Sequence, residues 1–378
     1  MIYLDASATT KPYPEVIVTM QEAMEKYWAN PSGNNSLSDE ARNKIEQVRE
    51  QFAADLNCKP SEIIFTSGGC EANSLAIKGF LNTHSNYKLY ASYLEHSSIN
   101  LIMDDIAYIQ YGGRVPNDSL GNISADKLDN KLYQNDEPFV SICAANSELG
   151  VIQDIKSLVK VVHNKGGIFH CDAVQLFPEQ RIDVKDWDVD MLSISVQKFH
   201  GPRGLGILYI KDGIVIDPLI YGSQENGLRG GTYNTAAILG AGKALELTRK
   251  HNATENIRAL RNQLYYKLDT IPDVALNGPS IWKNRLANNI SLRIDGVNAE
   301  QLVTMCDLMG LVIARGSACQ SHIPIPSLAL KAIGLTDKQA LSTVRITLDE
   351  FTTEQEVNKA AEIITKLVER IRDEEKTE

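Results

Sequence analysis

Several things are scarce in this sequence, and each scarcity removes a class of function. No stretch approaches the run of about 20 apolar residues that a membrane-spanning helix needs. Positive charge is in deficit, with 38 Lys and Arg against 48 Asp and Glu and a net charge of -10. A chain that holds nucleic acid by bulk electrostatics needs the opposite balance, so no direct nucleic-acid partner is expected. Cysteines are few: Cys58, Cys70, Cys143, Cys171, Cys306 and Cys319. None of them forms a C-x-x-C pair, which removes support for a zinc ribbon or a thioredoxin-type motif, and no metal is expected. The opening MIYLDASATT has no basic start and no apolar core and is charged at Asp5, so it does not read as a signal peptide and a cytoplasmic location is expected. Internal repeats and low-complexity linkers are also lacking. The composition is that of an ordinary globular chain, 43% hydrophobic and 23% charged over 378 residues.

Short apolar runs alternate with helical patterns through the first two thirds. Residues 62–66, 88–92, 139–143, 167–171, 189–195 and 205–210 read as buried strands. Leu37, Ala41, Ile45, Val48, Phe52 and Leu56 recur at spacings of three and four, one face of a helix with Ser36–Asp39 as its expected cap. A second helix is expected over 154–164. This alternation predicts an α/β fold with a mostly parallel sheet flanked by helices. Past residue 250 helices dominate, with short strands near 289–294 and 343–348 and a long helix from about Thr353. The expected division is a large α/β domain over 14–250 and a smaller α+β domain formed by 1–13 and 251–378.

Four segments carry candidate chemistry. Ser67-Gly68-Gly69-Cys70 lies between a strand and a helix, where glycines admit a ligand and free N–H groups favour an anion such as phosphate. The plain alternative, a Gly-rich turn, has even odds. Asp172 ends a buried strand, where open parallel sheets bind ligands; it could pair with a protonated ring nitrogen or merely cap a helix. Ser195, Gln197 and Lys198 leave another buried strand together. A lysine there suits a covalent bond to a carbonyl cofactor, because burial lowers the amine pKa; taken alone, a surface lysine is the commoner reading. Cys319 sits in Arg315-Gly316-Ser317-Ala318-Cys319-Gln320-Ser321-His322, a small, polar stretch before Pro324 and Pro326. That is the texture of an accessible loop and makes its thiol a candidate nucleophile. The other five cysteines read as small buried hydrophobes.

Ten segments in order, YLDASATT, ANPSGNNS, TSGGCEANSLAIKG, LEHSSI, ANSELGVIQDI, FHCDAVQ, SISVQKFHGPRG, LRGGT, RGSACQS and VRITLDEFTTEQE, resemble the cysteine desulfurases. These belong to the class V aminotransferase group of fold-type I pyridoxal-phosphate enzymes, and the likeness spans essentially the whole chain. It implies a seven-stranded-type sheet, pyridoxal 5'-phosphate as cofactor and L-cysteine as substrate. It also implies a homodimer and a protein sulfur acceptor. Position by position, it implies that Lys198 bonds to the cofactor's aldehyde carbon and that Asp172 holds the pyridine nitrogen protonated. His96 would stack on the ring; Asn146 and Gln175 would hydrogen-bond the cofactor. Gly69, Cys70, Ser195 and Gln197 fall at phosphate positions, with Thr232 reaching the phosphate from a partner subunit. Arg345 and Asn30, with Asn146, would hold the substrate, and Cys319 would take its sulfur as a persulfide.

The chain departs from the usual pattern at Gln197, where histidine is common, and at Cys70, where threonine is. Tyr221-Gly222-Ser223-Gln224 and Arg315 also differ. These departures point to a specialised branch, serving iron–sulfur assembly, tRNA thiolation or DNA phosphorothioation. A selenocysteine lyase, another C–S lyase or an aminotransferase of the same fold would keep the cofactor residues, and an aminotransferase would have no use for the Cys319 thiol. A non-catalytic relative would have lost Lys198 or Asp172.

Overall fold

The computed structural model describes residues 1–106, 108–316 and 326–377. The strands in chain order are β1 (Ile2–Tyr3), β2 (Ile63–Thr66), β3 (Tyr87–Ser92), β4 (Tyr111–Val115), β5 (Glu137–Cys143), β6 (Ile168–Asp172), β7 (Met191–Ser195), β8 (Gly206–Ile210), β9 (Val274–Leu276), β10 (Asn289–Ile294), β11 (Leu311–Val312), β12 (Ala314–Arg315) and β13 (Thr343–Thr347). The first four α-helices are α1 (Pro14–Lys26), α2 (Ser36–Leu56), α3 (Gly69–Thr83) and α4 (Ser97–Asp105).

A seven-stranded sheet in the order β2-β8-β7-β6-β5-β3-β4 forms the centre of the larger part. All neighbours pair in parallel except β8, which is antiparallel to both β7 and β2. The exception has a covalent cause. Only residues 196–205 separate β7 from β8, too few for the dozen or more that a parallel crossover takes. The chain therefore turns back at the sheet's end, and that turn is where Lys198 sits. β6 and β7 are buried on both faces, apart from the first residue of β6, which is why their sequences are nearly continuous apolar runs.

Helix α2 buries Ala41, Ile45, Val48, Phe52 and Leu56 as its spacing predicts. Each large apolar side chain removed from water there stabilises the fold by roughly 1.5–3 kcal/mol. The cap differs from expectation: Asn35 precedes the helix, and its side chain accepts the N–H of Ser38. Asn35 is in extended backbone, the conformation an N-cap needs, whereas Ser36 is already helical.

The smaller part has an antiparallel sheet, β12-β13-β10-β9, and a two-stranded parallel pair, β1-β11. Its apolar cluster includes Leu264, Leu292, Ile346 and Ile364, the last from the closing helix Glu354–Thr377. Residues 2–13 run from one part to the other. Leu4 is hydrogen-bonded to Val312 and Thr347, then Thr10 to Gln197 and Tyr13 to His200.

Candidate active site

The carboxyl ends of the parallel strands and the start of α3 enclose a cavity of about 540 Å³, where ligands bind in open α/β sheets. Its lining includes Gly69, Cys70, His96, Asn146, Asp172, Gln175, Ser195, Gln197, Lys198 and Arg345. Residues spread over 277 positions of sequence thus meet in one place. Asn30 and Thr232 are not among the lining residues. Both are exposed; Asn30 holds the turn after α1 by accepting the Ser32 N–H at 3.0 Å. Cys319 lies outside the described residues.

The anion end is built by β2 and α3. Gly68 has φ +156° and only open space where a Cβ would be. At Gly69 a Cβ would crowd Val174 and Ser195, at 3.0 and 3.3 Å. The first N–H groups of α3, a helix of 15 residues, have no intrahelical partners and carry the positive end of the dipole. Cys70 is exposed on this turn, contrary to its expected burial, because position 70 faces the cavity rather than the core. Cys143, Cys171 and Cys306 are buried.

Asp172 is 5% exposed at the end of β6. Its Oδ1 accepts the Val174 N–H at 3.0 Å and its Oδ2 the Asn73 amide at 2.8 Å. His96 caps α4: its Nδ1 accepts the Ser98 N–H at 3.1 Å and lies 2.9 Å from Ser98 Oγ. Burial pushes the His96 imidazole below its ordinary value; the Asp172 carboxylate opposes that shift and the Lys198 ammonium adds to it. Nδ1 is an acceptor in both contacts, so a neutral ring carries its hydrogen on Nε2.

Lys198 Nζ donates to the carbonyls of Ser7 and Ala8, at 2.6 and 2.7 Å. Gln175 Nε2 donates to Ser7 O at 3.1 Å. The N-terminal segment therefore aligns both residues from behind, a role the motif YLDASATT carried without any one residue announcing it. Lys198 also lines a second cavity, of about 360 Å³, bordered by Tyr13, His200 and Asp349. The Asn146 amide is largely committed to its own turn. Its Oδ1 accepts the N–H groups of Glu148 and Leu149, and its Nδ2 donates to Leu94 O.

Three carboxyl groups around the site were not singled out by sequence. Asp5 accepts from Arg345 Nη2 at 2.8 Å. Glu95 is buried and accepts from Ser92 Oγ and the Cys143 N–H. Its pKa is pushed up to about 8, by burial first, with the Asp172 charge adding to the rise. Glu148 has its carboxyl end out of solvent, and desolvation raises its pKa to about 7 against the opposing pull of Ser327 and Arg345. Glu95 and Glu148 both stood in quoted motifs, so adjacency to His96 and Asn146 was the available signal.

The donor set fits pyridoxal phosphate. An amine, a carboxylate lining the cavity, an aromatic ring and a helix N-terminus match the aldehyde, ring nitrogen, ring face and phosphate. Comparison with known proteins agrees. Residues 2–359 match the aminotransferase class-V family. A protein named cysteine desulfurase IscS from Clostridium botulinum is 36% identical over 98% of this chain and 95% of its own. A solved NifS-like protein superposes with a TM-score of 0.90 at 30% identity, covering 97% of this chain and 99% of that one. A structure described as SspA in complex with cysteine gives 0.80 at 32% identity, over 93% and 100%. The fold and cavity are those of a pyridoxal-phosphate enzyme. The chain belongs to the aminotransferase class-V family and is similar, over nearly its full length, to the cysteine desulfurases within it.

Proposed function

We propose that this chain converts L-cysteine to L-alanine and passes the sulfur through Cys319 to an acceptor protein. The observation that carries the reading is the convergence of Lys198, Asp172, His96 and the Gly68–Gly69 turn on one cavity that also contains Arg345. The phosphate would be held by Gly69, Cys70, Ser195 and Gln197, and the ring between Asp172, His96, Gln175 and Asn146. Bound there, pyridoxal phosphate supplies an electron sink for the charge left when a proton leaves the substrate's Cα.

The chain's own residues do the rest. The Asp172 carboxylate, held by two N–H donors, would face the ring nitrogen. Arg345 offers a planar fork to the substrate carboxylate. Lys198 would hold the cofactor through its aldehyde carbon, and its amine, when free, would take the Cα proton. The Cys319 thiolate attacks the substrate sulfur. The substrate C–S bond breaks, a Cys319 S–S bond forms, and the carbon skeleton takes up one proton at Cβ, regains the Cα proton from Lys198 and leaves as alanine. Gln197 can donate to phosphate but does not titrate near neutrality.

The active form in this reading is a homodimer, with the exposed Thr232 contributing to the partner's phosphate site; Tyr221 in the same segment is 85% exposed. The division into a large domain and a smaller one carrying the Cys319 segment is part of the same proposal, as is a cytoplasmic location.

Purified protein incubated with pyridoxal phosphate, L-cysteine and a thiol reductant should release alanine and sulfide in equal amounts. Cys319→Ser should bind the cofactor and release almost no sulfide. Full sulfide release by that variant would exclude the persulfide step. A protein that stays colourless with added pyridoxal phosphate would exclude the cofactor assignment.

A further inference from the structure

One buried amide lies between the two groups assigned to the cofactor ring. Asn73 is on the first turns of α3 and is 1% exposed. Its Nδ2 is 2.8 Å from Asp172 Oδ2 and 3.1 Å from Ser98 Oγ. Ser98 Oγ is in turn 2.9 Å from His96 Nδ1. Among the described residues the amide oxygen, Oδ1, has no hydrogen-bond partner although it is closed off from solvent. A leucine would fill a similar volume without leaving a buried carbonyl unpaired, so the position is spent on the two N–H groups.

The direction of every hydrogen bond follows from the chemistry at the two ends. An ionised carboxylate only accepts, so Asn73 must turn its NH₂ toward Asp172. The second hydrogen on the same nitrogen is then given to Ser98 Oγ. At the other end His96 Nδ1 already accepts the Ser98 backbone N–H, so the Ser98 hydroxyl, which receives from Asn73, gives its own hydrogen to that nitrogen. We propose that Asn73 is a positioning residue that links the Asp172 carboxylate to His96, keeping the imidazole neutral with its hydrogen on Nε2.

Donors aimed at a lone pair favour the unprotonated ring, so the chain of bonds opposes protonation of His96. The charged groups facing the ring from other elements are Asp172 at the end of β6 and Lys198 after β7. Glu95, the preceding residue, directs its carboxyl to Ser92 and Cys143, while Cys70 and Arg345 line the same cavity. The proposal rests on the functional reading for the meaning of Asp172 and His96, not for their geometry.

The test is a titration of the imidazole nitrogens by NMR in full-length, cofactor-free protein labelled at histidine, with His96 assigned from a His96→Gln variant. Asn73→Leu should raise the His96 pKa by about half a unit to one unit, a roughly threefold to tenfold change in its acid constant, because the Ser98 hydroxyl is then free to turn and accept from a protonated ring. Ser98→Ala, at a half-buried position, should raise it by a similar amount while leaving the Asn73–Asp172 bond in place. The double variant should move it no further than Asn73→Leu alone, since both substitutions cut one chain. An unmoved His96 pKa in a folded Asn73→Leu protein, or additive shifts in the double variant, would overturn the proposal. If Asn73→Leu does not fold, an unmoved pKa in Ser98→Ala overturns it instead. Failure of the wild-type protein to bind pyridoxal phosphate would strike the functional reading and leave this titration intact.

Discussion

Arg345 Nη2 lies 2.8 Å from Asp5 Oδ1, a bond between residues 340 positions apart in the chain. Both side chains are largely enclosed, and Arg345 Nε has no hydrogen-bond partner among the described residues. Asp5 thus fixes one arm of the guanidinium of a residue that lines the cavity. Asp5→Asn keeps the shape and removes the charge that orients the fork. The expected result is a KM for L-cysteine raised about tenfold, near 1.4 kcal/mol, with kcat little changed. Steady-state kinetics of alanine formation checks this, and a fall in kcat with unchanged KM would contradict it.

Lys198 is gripped by two backbone carbonyls from the N-terminal segment. Lys198→Ala leaves the phosphate turn and Asp172 in place, so the variant should still take up pyridoxal phosphate. It should lose about 10³-fold in kcat, as expected when a positioned proton-transfer group is removed. Cofactor absorbance after gel filtration and alanine release under saturating L-cysteine measure the two halves separately.

Arg49 and Glu225 form an ion pair with side chains 8% and 1% exposed. The Glu225 carboxylate accepts both terminal nitrogens of Arg49, at 2.8 and 2.9 Å, and the Phe65 N–H at 3.1 Å. Its backbone is left-handed, with φ +49°, a conformation its three bonds hold in place. Glu225→Ala leaves Arg49 with only the half-exposed Glu46 carboxylate and the Ile63 carbonyl, and a loss of about 1–3 kcal/mol is expected. Urea unfolding of the variant against wild type reads this directly; a loss under 1 kcal/mol would show that water reaches Arg49.

Glu95 sets a pH dependence of stability. Burial holds its folded pKa at about 8 against an ordinary 4.5. The folded protein therefore keeps a proton there that the unfolded chain has released. The stability contributed by that proton is fully present below pH 4.5 and is lost as pH rises through 8. Glu95→Gln carries no such proton. The difference in thermal midpoint, Gln variant minus wild type, should become more positive from pH 5 to pH 9 in cofactor-free protein. A difference independent of pH would show Glu95 to be ionised in the folded state.

Much of this molecule could be seen in its sequence for physical reasons that act locally. β5, β6 and β7 showed themselves because burial on both faces keeps their residues mainly apolar, interrupted inside by polar groups that pair with one another, as Ser141, His170 and Ser193 do. Helix α2 did so because Ala41, Ile45, Val48, Phe52 and Leu56 fall on one stripe. Lys198, Asp172 and His96 stood out through motif order, and the structure brings them together in one cavity. What stayed hidden depends on tertiary placement. Asn73 is one more small polar residue on a helix until Asp172 and Ser98 arrive on either side of it. Asp5 gains meaning only when β13 delivers Arg345, and Glu95 becomes unusual only once its neighbours exclude water. The cap of α2 went to Asn35 rather than Ser36 because adjacent polar residues compete for that place, and backbone angles decide between them.

The stitching of residues 2–13 between the two sheets also has a consequence in time. Lys198 is aligned by Ser7 and Ala8, and that segment is itself held by Thr347 and Val312. During synthesis the earliest residues to emerge must wait for nearly the whole chain before they find their partners. Contacts of such sequence separation close late, so a growing chain has the phosphate turn long before it has an aligned lysine. The aligned lysine is in that sense a report on completed folding: a chain interrupted before β13 would lack that alignment however well its large sheet had formed.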